Sequence, residues 1–407
     1  MSTHPEREAA ATRQPPVGLA DLIAPTTTDT FFAEYWEKKP LLIHRKTPEY
    51  YAGVLTLADV DAMLATSSLN DGDLRLVAEG EETPVSQLVP ESTEGRINGL
   101  EALYARYRSG ATINLMFVNE RWPALNTLCR KLAGELSAGI HGNVYLTPPG
   151  TRGLTPHHDT HDVFVCQVYG TKHWTLYPTQ TPLPVQTQGY VLPETGAGEP
   201  EADFVLSPGD FLYMPRGTVH AAEANDAASV HLTVGISPMT WANALRAAID
   251  DVFMDDVRFR EGLPPGFITD PAARDRAVAE LSVRLADLIG QVRPESVVDR
   301  RAATMLQRRQ PTLEGHLLDL EALPSVDLST PVRRRPQLQW LLHRKGDEIA
   351  LEFHGKMINL PGYVEDEVAF MAKADEFAGA EIPGSLDEPG RLVLVRRLLQ
   401  EGFLTTS

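Results

Sequence analysis

Gly153-Leu154-Thr155-Pro156-His157-His158-Asp159 and, further along, Gly209-Asp210-Phe211-Leu212-Tyr213-Met214-Pro215-Arg216-Gly217-Thr218-Val219-His220 are the two segments that decide how this chain folds. In an extended strand, residues i and i+2 point to the same face. His157 and Asp159 therefore project side by side. His220 reaches the same place from a later strand, after a turn made by Pro215 and Gly217. Two imidazoles and one carboxylate on one side of a metal leave coordination positions open, which suits non-haem Fe(II) and O2. A closed structural zinc site would instead want four protein ligands and more cysteine. His-x-Asp alone is commonplace; followed by Pro-x-Gly-x-x-His it is far more specific.

Six of the twelve histidines (157, 158, 161, 173, 220 and 231) crowd into residues 157–231, many more than an even spread would put there. His158 should point away from a metal that His157 faces. His161 and Asp162 either line the mouth of the site or form a solvated turn. His173 is expected to pack beside Trp174. His231, in Ser229-Val230-His231-Leu232-Thr233, sits on a strand bordering the barrel interior, as a cosubstrate neighbour or a hydrogen-bonded core histidine.

Outward from the metal motif the chain reads as short strands separated by Gly and Pro turns: 143–147, 163–169, 173–177, 210–214 and 230–234. Such spacing predicts a barrel or sandwich. A helical segment around Phe31–Trp36 precedes them. Residues 241–325 switch to a helical period, with Leu245, Ala248, Ile249 and Val252 on one face and Val278, Leu281, Leu285, Leu288 and Ile289 on another. These faces serve either a domain core or pairing with a second copy. From residue 326, alternating Ile349, Leu351 and Phe353, a His354-Gly355-Lys356 turn, and Ile358 with Leu360 predict a hairpin. Helices over 364–377 and 389–399 complete a winged-helix-like module.

A dicarboxylate such as 2-oxoglutarate, chelating the metal by one end, needs a cation for the other, because an unpaired buried carboxylate is prohibitive. Lys172 starts an otherwise apolar strand just after the Gly170-Thr171 turn and is the candidate. Tyr145 can add a phenolic hydrogen bond. Asn143 shares its strand face and serves either a ligand or the local structure.

The polar, proline-bearing stretch 1–25 reads as a disordered leader, not a signal peptide. No apolar run is long enough to cross a membrane as a helix. Two cysteines, Cys129 and Cys166, cannot build a disulfide framework and suit a cytoplasmic protein. The formal charge of −18 argues against a direct grip on nucleic acid and favours small-molecule chemistry or a basic partner. From Pro331 onward ten Lys/Arg face twelve Asp/Glu, the wrong balance for a DNA-binding wing.

Tyr35-Trp36-Glu37-Lys38-Lys39-Pro40, Asn143-Val144-Tyr145-Leu146-Thr147-Pro148-Pro149, His157-His158-Asp159-Thr160-His161-Asp162-Val163-Phe164, Gly170-Thr171-Lys172-His173-Trp174, the Gly209–His220 segment and His231-Leu232-Thr233-Val234, in this order, resemble the JmjC-domain ribosomal oxygenases. The resemblance implies an α+β chain. Its parts are a leader over 1–25, a double-stranded β-helix (cupin/JmjC barrel) over 26–240, a helical dimerisation region over 241–325, and a winged-helix-like domain over 326–407. It implies Fe(II) at His157, Asp159 and His220, with 2-oxoglutarate chelating it and reaching Lys172 and Tyr145. O2 then drives decarboxylation to succinate and hydroxylation of a protein side chain, an arginine or histidine of a ribosomal protein, in a homodimer. His158 departs from the aromatic or aliphatic residue commoner at that position. Lys172 follows the animal members rather than a bacterial branch that uses arginine, so the target residue is not declared. The rival readings are the same chemistry on a biosynthetic peptide or free amino acid, and a non-catalytic metal-binding cupin module.

Overall fold

The computed structural model describes residues 16–66, 72–78, 80–84, 95–307, 311 and 313–406. The chain divides between Pro238 and Met239 into two compact units, each described separately.

The first unit opens with helix α1 (Leu19–Ile23), whose Leu19, Leu22 and Ile23 are buried. The ordered fold thus begins before residue 25, earlier than the expected end of the leader; residues 1–15 lie outside the described residues. The helix expected around Phe31–Trp36 is a short turn α2 (Thr28–Thr30) running into a π turn over Phe31–Tyr35. Strand β1 (Leu41–Ile43), helix α3 (Leu57–Thr66), β2 (Leu74–Ala78), β3 (Glu81–Pro84), α4 (Gly95–Arg108), β4 (Thr112–Leu115) and α5 (Pro123–Glu135) follow. Pro123 starts α5, where its missing N–H costs nothing. Leu125, Leu128, Cys129 and Leu132 recur at helical spacing and are buried in the core; each leucine contributes about 2 kcal/mol.

Seven strands then carry the site: β5 (Ala138–Thr147), β6 (Asp162–Tyr169), β7 (Lys172–Tyr177), β8 (Ala202–Leu206), β9 (Phe211–Met214), β10 (Val219–Ala224) and β11 (Ser229–Pro238). The larger antiparallel sheet runs β1-β9-β6-β11-β5-β4-β2-β3, and the smaller runs β10-β7-β8. Strand β6 shows why the pattern reads as an unbroken apolar run. Val163 and Val165 pack with Trp174, Leu176, Leu206, Leu212 and Met214 between the sheets. Phe164 and Cys166 join the core that holds α1 and α5. Both faces are buried, so period-two alternation disappears. Two such sheets enclosing a cavity form the cupin-type double-stranded β-helix.

In the second unit, Thr240 and Asn243 cap one another at the start of α6 (Trp241–Asp255). Asp270 and Pro271 do the same work for α7 (Pro271–Gln291), followed by α8 (Pro294–Gln307) and α9 (His316–Ala322). Strand β12 (Pro331–Arg334) precedes the meander β13 (Leu341–Lys345), β14 (Glu348–Phe353) and β15 (Lys356–Pro361), then α10 (Glu365–Lys373), β16 (Phe377–Ala378), α11 (Glu388–Gln400) and β17 (Leu404–Thr405). β12 pairs with β16 and with β17. The helix expected over 364–377 stops at Lys373, and Phe377 instead turns inward on β16. Ile349, Leu351 and Phe353 form a core with Val368, Met371, Leu398 and Phe403.

The apolar stripes of α6 and α7 are only partly covered. Ala248, Val252 and Leu288 are buried, whereas Leu245, Val278, Leu281, Leu285 and Ile289 are exposed. Among the described residues no helix is long and apolar enough to cross a membrane.

Candidate metal centre

The structure brings His157, Asp159 and His220 together. One ligand atom from each lies within 4.8 Å of the others. Main-chain bonding fixes the approach: His157 N–H donates to His220 O at 3.1 Å and His220 N–H donates to His157 O at 2.8 Å. Gly217 N–H, in the Pro-Arg-Gly turn, donates to Asp159 O at 3.0 Å. Gly217 has φ of 90°, and a Cβ there would overlap the Thr181 carbonyl oxygen, so this turn needs glycine.

The side chains are oriented as well. His157 Nδ1 lies 2.8 Å from Thr155 O, and His220 Nδ1 lies 3.0 Å from Thr218 O. A proton on each Nδ1 leaves each Nε2 lone pair for a cation, the usual arrangement of metal-binding histidines. Burial, then the neighbouring His157, pulls His220 down to about 4, so its imidazole is neutral near pH 7. Burial works to raise the Asp159 carboxyl, but the His220, His161 and His157 imidazoles outweigh it and hold it below its ordinary value. The set is an open one of two imidazoles and one carboxylate.

A cavity of about 180 Å³ joins these groups to Lys172, Tyr145, Asn143 and His231. Lys172, 2% exposed, donates from Nζ to Thr147 Oγ1 at 2.9 Å, and no carboxylate pairs with it among the described residues. Burial alone lowers its amine to about 7. Tyr145 and His231 stack with ring centres 4.9 Å apart and planes 1° apart, and Trp174 meets His231 edge-on at 5.6 Å. Burial, then the nearby Lys172, pushes His231 well below its ordinary value, and it is neutral. Among the described residues, His231 Nδ1 and Trp174 Nε1, whose side chains line this cavity, are buried without a protein hydrogen-bond partner. An unpaired buried ammonium amid orphaned polar atoms fits an anionic, hydrogen-bonding ligand whose other end reaches the open metal face.

Asn143 is partly committed to structure, since its Oδ1 accepts from Phe117 N–H at 3.0 Å. His158 points away from the triad: Nε2 lies 3.1 Å from Gln188 O and the ring meets Tyr190 edge-on. Asp162 does not line the mouth. It is fully buried, accepting from Tyr213 Oη at 3.0 Å and from Arg216 Nη1 at 2.8 Å. Arg216 also bonds Glu37, Glu37 N–H donates to Tyr213 Oη, and Trp36 stacks on Tyr213. The Tyr35–Pro40 motif thus anchors the turn that precedes His220. His173 is an ion-pair residue, not a packing one, with Asp203 at 2.6 Å and Glu223 at 3.3 Å.

Thr147 escaped the sequence reading, although the two-residue period that selects Asn143 and Tyr145 also selects it. Asn114 and Gly235 lacked any local signal; strand pairing alone sets Asn114 opposite Tyr145 and Gly235 opposite His141.

Residues 118–244 match the family model described as the JmjC domain. Ribosomal oxygenase 2 of Mus musculus is 31% identical over 310 residues, covering 72% of this chain and 65% of that protein. Ribosomal oxygenase 1 of Gallus gallus is 35% identical over 262 residues, covering 60% of this chain and 41% of that protein. The chain thus spans less than two thirds of the length of these curated relatives. Among solved structures, YcfD, a ribosomal oxygenase from Escherichia coli in complex with cobalt and 2-oxoglutarate, superposes with a TM-score of 0.53 at 18% identity, covering 94% of this chain and 98% of that one. At that identity the likeness speaks for the fold.

Proposed function

This chain belongs to the JmjC-domain ribosomal oxygenase family, and from that premise we propose that it is an Fe(II)- and 2-oxoglutarate-dependent oxygenase that hydroxylates a protein side chain. The observation that carries the reading is a cavity holding an open His157/Asp159/His220 set and a buried Lys172 that no carboxylate pairs with among the described residues. In this reading His157, Asp159 and His220 hold the ferrous ion. Lys172 pairs with the far carboxylate of 2-oxoglutarate, and Tyr145 presents its hydroxyl beside it. His231 and Trp174 wall the pocket with rings and unpartnered N–H or ring-nitrogen atoms. Val163, Val165 and Met214 line the same cavity and exclude water. When bound, the iron and 2-oxoglutarate supply the activation of O2; the chain supplies position and dryness.

The substrate is an arginine or histidine of a ribosomal protein. The relatives' names support a ribosomal target, and ribosomal proteins are basic whereas this chain carries −18. Exposed Leu245, Val278, Leu281, Leu285 and Ile289 support homodimerisation through residues 241–325. The meander with α10 and α11 supports a winged-helix-like reading of 326–407. Two buried, unpaired cysteines support the cytoplasm.

The deciding experiment supplies the purified chain with Fe(II), 2-oxoglutarate, O2 and ribosomal proteins from cells lacking the gene. Succinate together with a +16 Da shift is expected. Succinate without any mass shift in these proteins would redirect the substrate to a biosynthetic peptide or free amino acid. No succinate at all would leave a metal-binding module without turnover.

A further inference from the structure

Strands β5 and β11 pair rung by rung: Tyr145 with His231 and Asn143 with Thr233 at the cavity, then His141 with Gly235 next to it. The last rung sets an imidazole against a residue with no side chain. A Cβ on Gly235 would overlap Cε1 and Nε2 of His141 and come within 2.8 Å of His161 Cδ2. The His141 ring therefore lies across Gly235 and meets His161, with ring centres 5.1 Å apart. Phe117, an exposed residue, flanks His141 at 5.8 Å. It is held there by the bond from its N–H to Asn143 Oδ1, and the next turn is tied down by Gly142 N–H donating to Asn119 Oδ1 at 2.7 Å.

The row Phe117–His141–His161 ends two residues from Asp159, and His161 lines the cavity. Both imidazoles are half-buried. Neither has a protein hydrogen-bond partner among the described residues. His158 and His173 differ in this respect, since His158 Nε2 is engaged by Gln188 O and both ring nitrogens of His173 are engaged by carboxylates. Half-buried polar rings without partners, opened by a glycine and aligned toward the metal ligands, make a surface prepared for a ligand.

We propose that His141 and His161, with Phe117, form the wall against which the substrate side chain is laid for hydroxylation. The inference rests on the protein-hydroxylase reading above. Flat rings give a planar side chain extensive contact, and each imidazole offers a hydrogen-bond donor or acceptor to its polar edge. A planar, hydrogen-bonding group is therefore the class of side chain the wall fits.

The test uses the full chain with Fe(II), 2-oxoglutarate, O2 and the ribosomal proteins named above. It reads the ratio of +16 Da product to succinate. His141→Ala and His161→Ala are each expected to lower that ratio about tenfold, the worth of a lost hydrogen bond with its contact. Gly235→Ala keeps both imidazoles but displaces them, and is expected to lower it too. A merely structural fault reduces product and succinate together and leaves the ratio intact. An unchanged ratio in all three variants would overturn the proposal. If the wild-type chain gives no +16 Da product, the protein-hydroxylase reading falls and this inference falls with it.

Discussion

Lys172 Nζ donates to Thr147 Oγ1 at 2.9 Å, at the buried start of β7, and no protein carboxylate pairs with it among the described residues. A hydroxyl relieves little of the cost of burying an ammonium. Lys172→Met should therefore weaken 2-oxoglutarate binding by about 3 kcal/mol, on the order of 100-fold, the usual loss when one partner of a buried charge pair is removed. Calorimetry on the Mn(II)-loaded protein without O2 reads this directly. An unaltered dissociation constant would remove Lys172 from the pocket.

The same amine gives a pH signature. Burial lowers it to about 7 in the empty fold, below the value of about 10.4 expected for an unfolded chain. Between those values the unfolded chain carries a proton that the fold lacks, so the amine's contribution to stability rises as pH climbs through that window. Ligand binding reverses the preference, because a carboxylate favours the ammonium. At pH 8, 2-oxoglutarate should bind with uptake of a proton, seen as binding heat that varies with the buffer's ionisation heat. Near pH 6 the uptake should vanish, and Lys172→Met should abolish it at pH 8.

His220→Ala should weaken Co(II) binding more than about 100-fold, exceeding the loss typical of a group that only orients a ligand. The d–d absorption of the cobalt form measures it. Thermal unfolding of the metal-free variant should change little, because main-chain bonds and the Asp162–Arg216 pair hold the two ligand-bearing turns. A loss of fold without loss of affinity would point to a structural histidine.

Arg216→Ala leaves Asp162 buried without its cation, and should cost about 3–5 kcal/mol in urea unfolding. Replacing both residues, Arg216→Met with Asp162→Leu, should cost less than the two single changes summed. Strict additivity would mean that the pair does not interact.

Ile289→Glu on α7 should convert a dimer to a monomer in light scattering, since charge on an exposed apolar stripe disrupts self-association. A wild-type chain already monomeric at high concentration would refute pairing through this helix.

What the sequence made legible was whatever depends on local period. His157 and Asp159 follow from i, i+2 geometry, and Lys172 from its place at the head of an apolar strand. Ile349, Leu351 and Phe353 announce their strand in the same way. What stayed hidden depends on partners distant in the chain. Asp162 reads as a mouth residue until Arg216, 54 positions away, is found beside it. Gly235 reads as an ordinary strand glycine until β5 lays His141 across it. The exposure of Val278, Leu281, Leu285 and Ile289 could not be read from their spacing, because a helical period says which residues share a face and not what covers it.

His157 and His220 are stitched together through their own backbones, by bonds that do not run through the ion. Such bonds predict that folding and loading are separate events, unlike in small zinc modules that collapse only around their ion. A ribosome making this chain in an iron-starved cell would still release a finished vessel. At nitrogen- and oxygen-donor sites cobalt, nickel and copper outcompete ferrous iron. The cell's stock of loosely held metals, more than the vessel itself, therefore decides what fills it, and batches grown in different media should share one shape while differing in what they carry.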